Sequence, residues 1–327
     1  MSEMTSKERV ETALRLEKPD RVPFNFWMDR RLLARYEEKY GEYFRVEHYG
    51  GDVIESYVNL RWPEGKTVKR DGTSWVTEPL WPDGWRGTDG FAWPDPEDPE
   101  NFAMIERDLK SQPDKAVFVN VQGVMTIMHG IRSEVDLYVD FFERPEAVQE
   151  FFRKAGEVAA RFVHVLCERY PEITAVYVQD DICSTRGLMF SEDVLERFVY
   201  LANDQPIRAG RHAGKPVVYH SDGMIFDIIE HMIDLGVCAV NPLQANLHDF
   251  EEFMRRFGGR IGVYGGLDNL FIIPDGSTEE VREHVLHGFH TLGRDGGLIL
   301  SSHDISINCP EENIEVMVKT IREECVY

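Results

Sequence analysis

Gly214-Lys-Pro-Val-Val-Tyr-His-Ser-Asp-Gly223 is the most telling stretch of this 327-residue chain. Pro216 to His220 is a short apolar run rich in β-branched and aromatic side chains, the mark of a strand buried in a core. Alternate residues of a strand share a face, so His220 and Asp222 point the same way at its carboxyl end. A second such run, Gly297-Leu-Ile-Leu-Ser-Ser302, is followed by His303. Two histidines and a carboxylate at the ends of separate strands suit a metal site or an acid/base site. The plainer account makes His220 a satisfied rim residue and Asp222 the cap of a helix beginning near Met224. Gly223 favours the first account, since a missing side chain lets a ligand or a backbone come close.

Outward from this stretch, eight runs share its character. They are Arg21–Met28, Asp52–Val58, Ala116–Val121, Ala175–Gln179, Pro216–His220, Ala239–Leu243, Arg260–Gly265 and Gly297–Ser301. Most are followed by a helix-like stretch. Strands alternating with helices imply parallel pairing, and eight in sequence predict an α/β fold of the (β/α)₈ TIM-barrel type. Ser191–Asn203 and Glu279–Leu292 carry apolar residues at helical spacing, and Thr5-x-x-Glu8 predicts a capping box. No repeat or linker interrupts the pattern, which predicts a single domain over 1–327. One irregularity follows the second run, where an insertion of about fifty residues (about 60–114) exceeds the usual crossover length. It holds Trp62, Trp75, Trp81, Trp85 and Trp93 among Gly, Pro and Asp. Such a segment predicts hairpins or an ordered loop over the barrel mouth, or else a satellite core of its own.

The bulk properties narrow the class. Five scattered cysteines (Cys167, Cys183, Cys238, Cys309, Cys325) form no Cys-x-x-Cys pair, which points to a reducing cytoplasm. The amino terminus has no apolar signal core, and no stretch is long enough to span a bilayer, so a membrane role is not expected. A formal charge of −22 speaks against a nucleic-acid partner, which needs a basic footprint.

In a barrel the active site lies at the carboxyl ends of the strands. There the chain places Asp29 and Arg30, Tyr57 and Asn59, Gln122, Gln179 with Asp180 and Asp181, His220 and Asp222, Asn241 and Gln244, Asp268, and His303 with Asp304. Stability alone explains such a ring poorly, because an unpaired buried polar group costs about 1–3 kcal/mol. Adjacent strand residues face opposite sides, so only one of Asp180 and Asp181 is expected to reach the centre. Three other signals are set aside. His284, His287 and His290 recur every three residues and are expected on a solvated helix face. Gly265-Gly266 with Asp268 lacks a phosphate-binding pattern. Nothing near Cys309 marks it as reactive.

Jointly, several motifs resemble the uroporphyrinogen decarboxylase superfamily, which also holds zinc-dependent corrinoid and cobalamin methyltransferases. They are Lys7-Glu-Arg-Val, Glu17-Lys-Pro-Asp-Arg-Val-Pro23, Asp180-Asp-Ile-Cys-Ser-Thr-Arg-Gly187 and the opening stretch itself. Gly236-Val-Cys-Ala-Val-Asn-Pro-Leu-Gln244, Gly265-Gly-Leu-Asp268 and Pro310-Glu-Glu-Asn-Ile314 complete them. The resemblance implies the same barrel. The methyltransferases hold zinc through a His-x-Cys at the fifth strand and a late Cys seven residues before the Pro of Pro-x-x-Asn. Here those positions are His220, Asp222 and His303. The set loses both thiolates but still suits Zn²⁺, with Fe or Mn as alternatives. The decarboxylases grip substrate carboxylates with an Arg-Gln-Ala-Gly-Arg-type run, where this chain has Trp27-Met-Asp-Arg-Arg31. Their Asp after the second strand falls near Tyr57–Asn59, which offers no carboxylate, while their late His matches His303.

The resemblance therefore implies a methyltransferase-like enzyme. It would move a methyl group between a small methylated compound, or a thiol, and a corrinoid supplied by a partner protein. His220, Asp222 and His303 would hold a divalent metal. Asp181 or Tyr57 would move a proton, with His220 also in the catalytic set. Gln122, Gln179, Gln244, Asn241 and Arg30 would contact substrate. The rivals are a lyase or decarboxylase acting on a small acid without corrinoid, and a non-catalytic small-molecule-binding barrel.

Overall fold

The computed structural model describes residues 3–63, 65, 67–70, 73–76 and 78–327, with only the backbone of 67–70 and 73–76. Eleven strands are formed among them: β1 (Val53–Tyr57), β2 (Thr67–Arg70), β3 (Thr73–Val76), β4 (Ala116–Gln122), β5 (Ala175–Gln179), β6 (Cys183–Ser184), β7 (Gly187–Leu188), β8 (Val217–His220), β9 (Ala239–Asn241), β10 (Gly262–Leu267) and β11 (Leu298–Ser302). Seven make one curled parallel sheet in the order β1-β4-β5-β8-β9-β10-β11, with helices between them. Strands such as β4, β8 and β11 are buried along nearly their whole length, as a parallel sheet covered on both faces requires.

The two faces of the sheet separate by simple alternation. Val53, Ala116, Phe118, Ala175, Tyr177, Val218, Ala239, Tyr264 and Ile299 form an inner core, closed at the amino end by Val10, Ala13 and Leu14. These last three lie on α1 (Ser6–Leu14), which Thr5 and Glu8 open with the expected capping box. The opposite face joins the large cluster under the outer helices. Two residues further along the inner face, five strands present Glu55, Asn120, Gln179, His220 and Asn241. Apolar packing thus gives way to a polar tier at the carboxyl end of the sheet.

The first of the eight predicted runs, Arg21–Met28, is not a ladder strand. It makes isolated bridges, Phe24 with Leu300 and Met28 with Ile305. Its backbone still meets both edges of the sheet: Leu300 N–H donates to Pro23 O at 2.9 Å, and Asp52 N–H to Phe24 O at 2.9 Å. Pro23 supplies no N–H, which interrupts any regular ladder there. The stretch predicted as the helix Ser191–Asn203 includes a π-helical segment, Leu195–Tyr200, before a helix that runs on to His212.

The insertion begins with an antiparallel hairpin of β2 and β3. Next come Trp81, Trp85, Phe91 and Trp93, which gather on Phe151 with ring centroids 4.8–5.6 Å apart, and Trp62 joins through Phe91 at 6.1 Å. Phe151 belongs to a long outer helix, Pro145–Arg169. Four of the five tryptophans therefore build a satellite core on the outer layer, while the Trp75 side chain lies outside the described residues. No described helix is long and apolar enough to cross a membrane.

Candidate active site

His220 ends β8 on the inner face and is almost wholly buried. Its Nδ1 lies 2.6 Å from Asn241 Oδ1 and 2.9 Å from the Tyr177 hydroxyl. Asn241 is oriented by its own Nδ2–H, which donates to Tyr264 O at 2.7 Å, so Oδ1 is the atom left facing the imidazole. An amide oxygen only accepts, and Tyr177 spends its proton on that same oxygen at 2.5 Å. Burial pushes the Tyr177 phenol well above its ordinary range, so that proton stays in place. The network assigns the hydrogen of His220 to Nδ1 and leaves a lone pair on Nε2. Nε2 is buried and has no hydrogen-bond partner among the described residues.

Asp222 follows after one turn residue. Ser221 Oγ accepts from Ile182 N–H and Cys183 N–H, and Asp222 N–H donates to Asp181 Oδ1 at 2.9 Å. Gly223 has φ +92°, and a Cβ there would sit 2.5 Å from Ser184 O, so it is the backbone of β6 that requires the glycine. Asp222 caps no helix. The next one begins at Ile229, and Oδ1 of Asp222 is buried without a hydrogen bond. His303 Nε2 stands 3.6 Å from that oxygen, and the two imidazole rings are 5.8 Å apart. His220, Asp222 and His303 each offer a ligand atom within 4.8 Å of the others. Two orphaned buried atoms and a facing imidazole, all N or O donors, fit a divalent metal.

The other predicted residues divide clearly. A cavity of about 290 Å³ holds the three candidate ligands together with Arg30, Tyr57, Gln179 and Asn241 on its lining. Asp181 is not on that lining; its Oδ1 stands 3.5 Å from His220 Nε2, too long for a hydrogen bond. Asp180 turns the other way. It accepts from Met125 N–H and Thr126 N–H at the start of the helix Val124–Ile131 and from Asn203, and burial lifts its carboxyl to about 6. Gln122 lies outside the cavity, in an apolar crevice with Leu60, Trp62 and Trp93. Gln244 accepts from Gly223 N–H at 2.8 Å and so holds the turn that carries Asp222.

Among the motifs set aside, His287 and His290 are exposed as expected. Asp268 accepts from Leu270 N–H and Phe271 N–H. His284, expected on a solvated face, is buried and accepts from Asp268 N–H at 2.8 Å. Burial pushes the Cys309 thiol up to about 12, far from a thiolate.

The sequence reading missed Glu55, Trp27, Asn120 and Tyr177, which also line the cavity. Tyr57–Asn59 offers no carboxylate, as expected, and the one that β1 brings to the cavity is Glu55. It lies two residues before Tyr57 on the same face, so strand alternation carried the signal.

Four similarities accompany this geometry. A family model described as uroporphyrinogen decarboxylase matches residues 104–324. A uroporphyrinogen decarboxylase of Trichodesmium erythraeum is 25% identical over 184 residues, 56% of this chain and 49% of that protein. One of Crocosphaera subtropica is 23% identical over the same shares. The chain spans about half the length of these relatives. A solved methyltransferase from Methanosarcina mazei superposes with a TM-score of 0.73 at 15% identity, covering 98% of this chain and 99% of that one. At that identity the likeness speaks for the fold alone.

Proposed function

Since the chain belongs to the uroporphyrinogen decarboxylase family, we propose that it is a metal-dependent, methyltransferase-like enzyme on that family's fold. It moves a methyl group between a small O- or N-methylated compound, or a thiol, and a corrinoid carried by a partner protein. The chain itself has no Asp-x-His-x-x-Gly sequence to hold a corrinoid. One observation supports the reading most. His220 Nε2 and Asp222 Oδ1 are buried without partners, beside His303. Such atoms are costly to the fold unless something else satisfies them.

His220, Asp222 and His303 hold the metal, Zn²⁺ first, with Fe or Mn as alternatives. When bound, it supplies Lewis acidity to the heteroatom that carries or accepts the methyl group. Asn241 and Tyr177 keep the proton of His220 on Nδ1 and so keep Nε2 a ligand. Tyr57 on the cavity lining, or Asp181 beside His220, takes or gives a proton in this reading. Arg30 and Gln179 line the same cavity and orient the substrate.

A decarboxylase acting on a small acid is the second reading, supported by the names of the curated relatives. A tetrapyrrole bearing many carboxylates fits poorly, because Arg30 is the one guanidinium on the described lining of the cavity. Elemental analysis of the protein after chelation and re-addition of Zn, Fe and Mn, beside His220→Ala, tests the assignment. Roughly one ion per chain, lost in the variant, is expected. No metal in either protein removes the methyltransferase mechanism and leaves acid/base chemistry.

A further inference from the structure

Glu55 is 9% exposed at the carboxyl end of the barrel interior. Its Oε1 accepts from Trp27 Nε1–H at 2.9 Å, from Asn25 Nδ2–H at 3.4 Å and from the Tyr264 hydroxyl. All three donors are neutral. Burial pushes the Tyr264 phenol well above its ordinary range, so its proton stays available for that bond. Oε2 receives no bond from any described residue, and no described cation forms an ion pair with Glu55. Arg45, the guanidinium nearby, stacks on the Trp27 ring at 4.2 Å and donates to Phe26 O instead. A carboxylate this buried ordinarily has a cationic partner.

The surroundings say what kind of cation is missing. Glu55, Trp27 and Tyr57 line the cavity that holds His220, Asp222 and His303, and they also line a neighbouring cavity of about 460 Å³. The Trp27 and Tyr57 rings meet edge to face with centroids 6.4 Å apart. A buried carboxylate flanked by two electron-rich rings suits a bulky, weakly hydrated cation better than a small metal ion.

We propose that the cavity binds the ammonium group of a small N-methylated cation, held by the Glu55 carboxylate and the rings of Trp27 and Tyr57. Its assignment as the substrate rests on the methyl-transfer reading above, whereas the binding itself does not.

Calorimetric titration of the full chain with choline and with its uncharged isostere 3,3-dimethyl-1-butanol tests this directly. The wild type is expected to bind choline saturably and the isostere at least about tenfold more weakly. Glu55→Gln is expected to lose about tenfold or more in choline affinity while keeping its metal content. Equal binding of the two probes, no choline binding, or full affinity in Glu55→Gln overturns the proposal. Should Glu55→Gln fail to fold, the two probes on the wild type still decide it. His220→Ala separates the two readings, being expected to lose metal and keep choline. Choline binding that depends on Glu55 in a wild-type protein that takes up no metal sinks the metal reading alone. A filled metal site without choline binding sinks this one alone.

Discussion

The two ends of the curled sheet treat buried charge in opposite ways. At the amino end, Asp52 is fully buried just before β1 and every part of it is answered. Arg9 donates at 2.8 Å, Arg21 at 2.8 and 3.0 Å, and Phe24 N–H at 3.2 Å. At the carboxyl end, His220 Nε2 and Asp222 Oδ1 are also buried, but no described residue hydrogen-bonds them, and the charged groups facing them, Asp181 and His303, stand off at 3.5 and 3.6 Å. The same chemistry is thus spent on two tasks. A saturated charge network fixes where the amino-terminal segments sit, and an unsaturated one is a place for something that arrives later.

The largest effect is expected at the saturated end. Asp52→Asn leaves Arg9 and Arg21 without the carboxylate between them, and removing one partner of a buried pair costs about 3–5 kcal/mol. Urea unfolding should show that loss, while the folded fraction keeps its full metal content. A loss well under about 1 kcal/mol would mean that the network is ornamental. His220→Ala should do the reverse. Metal content falls about tenfold or more, while the metal-free protein loses only the neutral bonds of Nδ1 to Asn241 and Tyr177, about 1–3 kcal/mol and less than Asp52→Asn costs. Metal loss in both variants, or in neither, would dissolve the contrast between the two ends.

How much of this was legible in sequence follows from the same contrast. Strand runs and alternation located seven of the sheet strands and placed His220, Asp222 and His303 together, since those signals are local and periodic. What the sequence hid was direction at the ends of strands. Gln122 follows the same alternation as Asn120, yet it lies among Leu60, Trp62 and Trp93 because the insertion's aromatic core covers that strand end. Gln244, expected to contact substrate, holds a turn, a role that depends on Gly223 being twenty-one residues away in sequence and 2.8 Å away in space. Glu55 escapes a reading of the residues that follow each strand, because it is one of the last inward-facing positions within its own.

A third change sharpens the comparison from within the unsaturated end. His220 Nε2 is unpartnered, but its Nδ1 is held as firmly as Asp52. Asn241→Leu removes the acceptor that fixes the tautomer, and losing such outer support typically weakens metal binding about 10- to 100-fold. Competition against a fluorescent chelator would measure it. Unchanged affinity would show that the ring is held by packing alone and that the Asn241 bond is incidental.

The smallest effect belongs to the rim of the saturated end and concerns pH. Partial burial pushes the Asp20 carboxyl up, but the Arg9 side chain and the N–H groups of Met4 and Arg21 outweigh it and hold it at about 2. The unfolded chain therefore takes up this proton before the native one does. Stability from Asp20 is complete above the ordinary carboxylate range and is lost as pH falls from about 4 through about 2. Asp20 is partly open to solvent, so screening reduces its share to at most about 1 kcal/mol. Asp20→Asn should flatten the acid limb of the wild-type stability profile by that amount, read as urea midpoints between about pH 2 and pH 6. His220→Ala should leave the limb unchanged, because the acid sensitivity assigned here lies with the amino-end ion pairs. A flattened limb in His220→Ala and an intact one in Asp20→Asn would reverse that assignment, and with it the division of labour between the two ends.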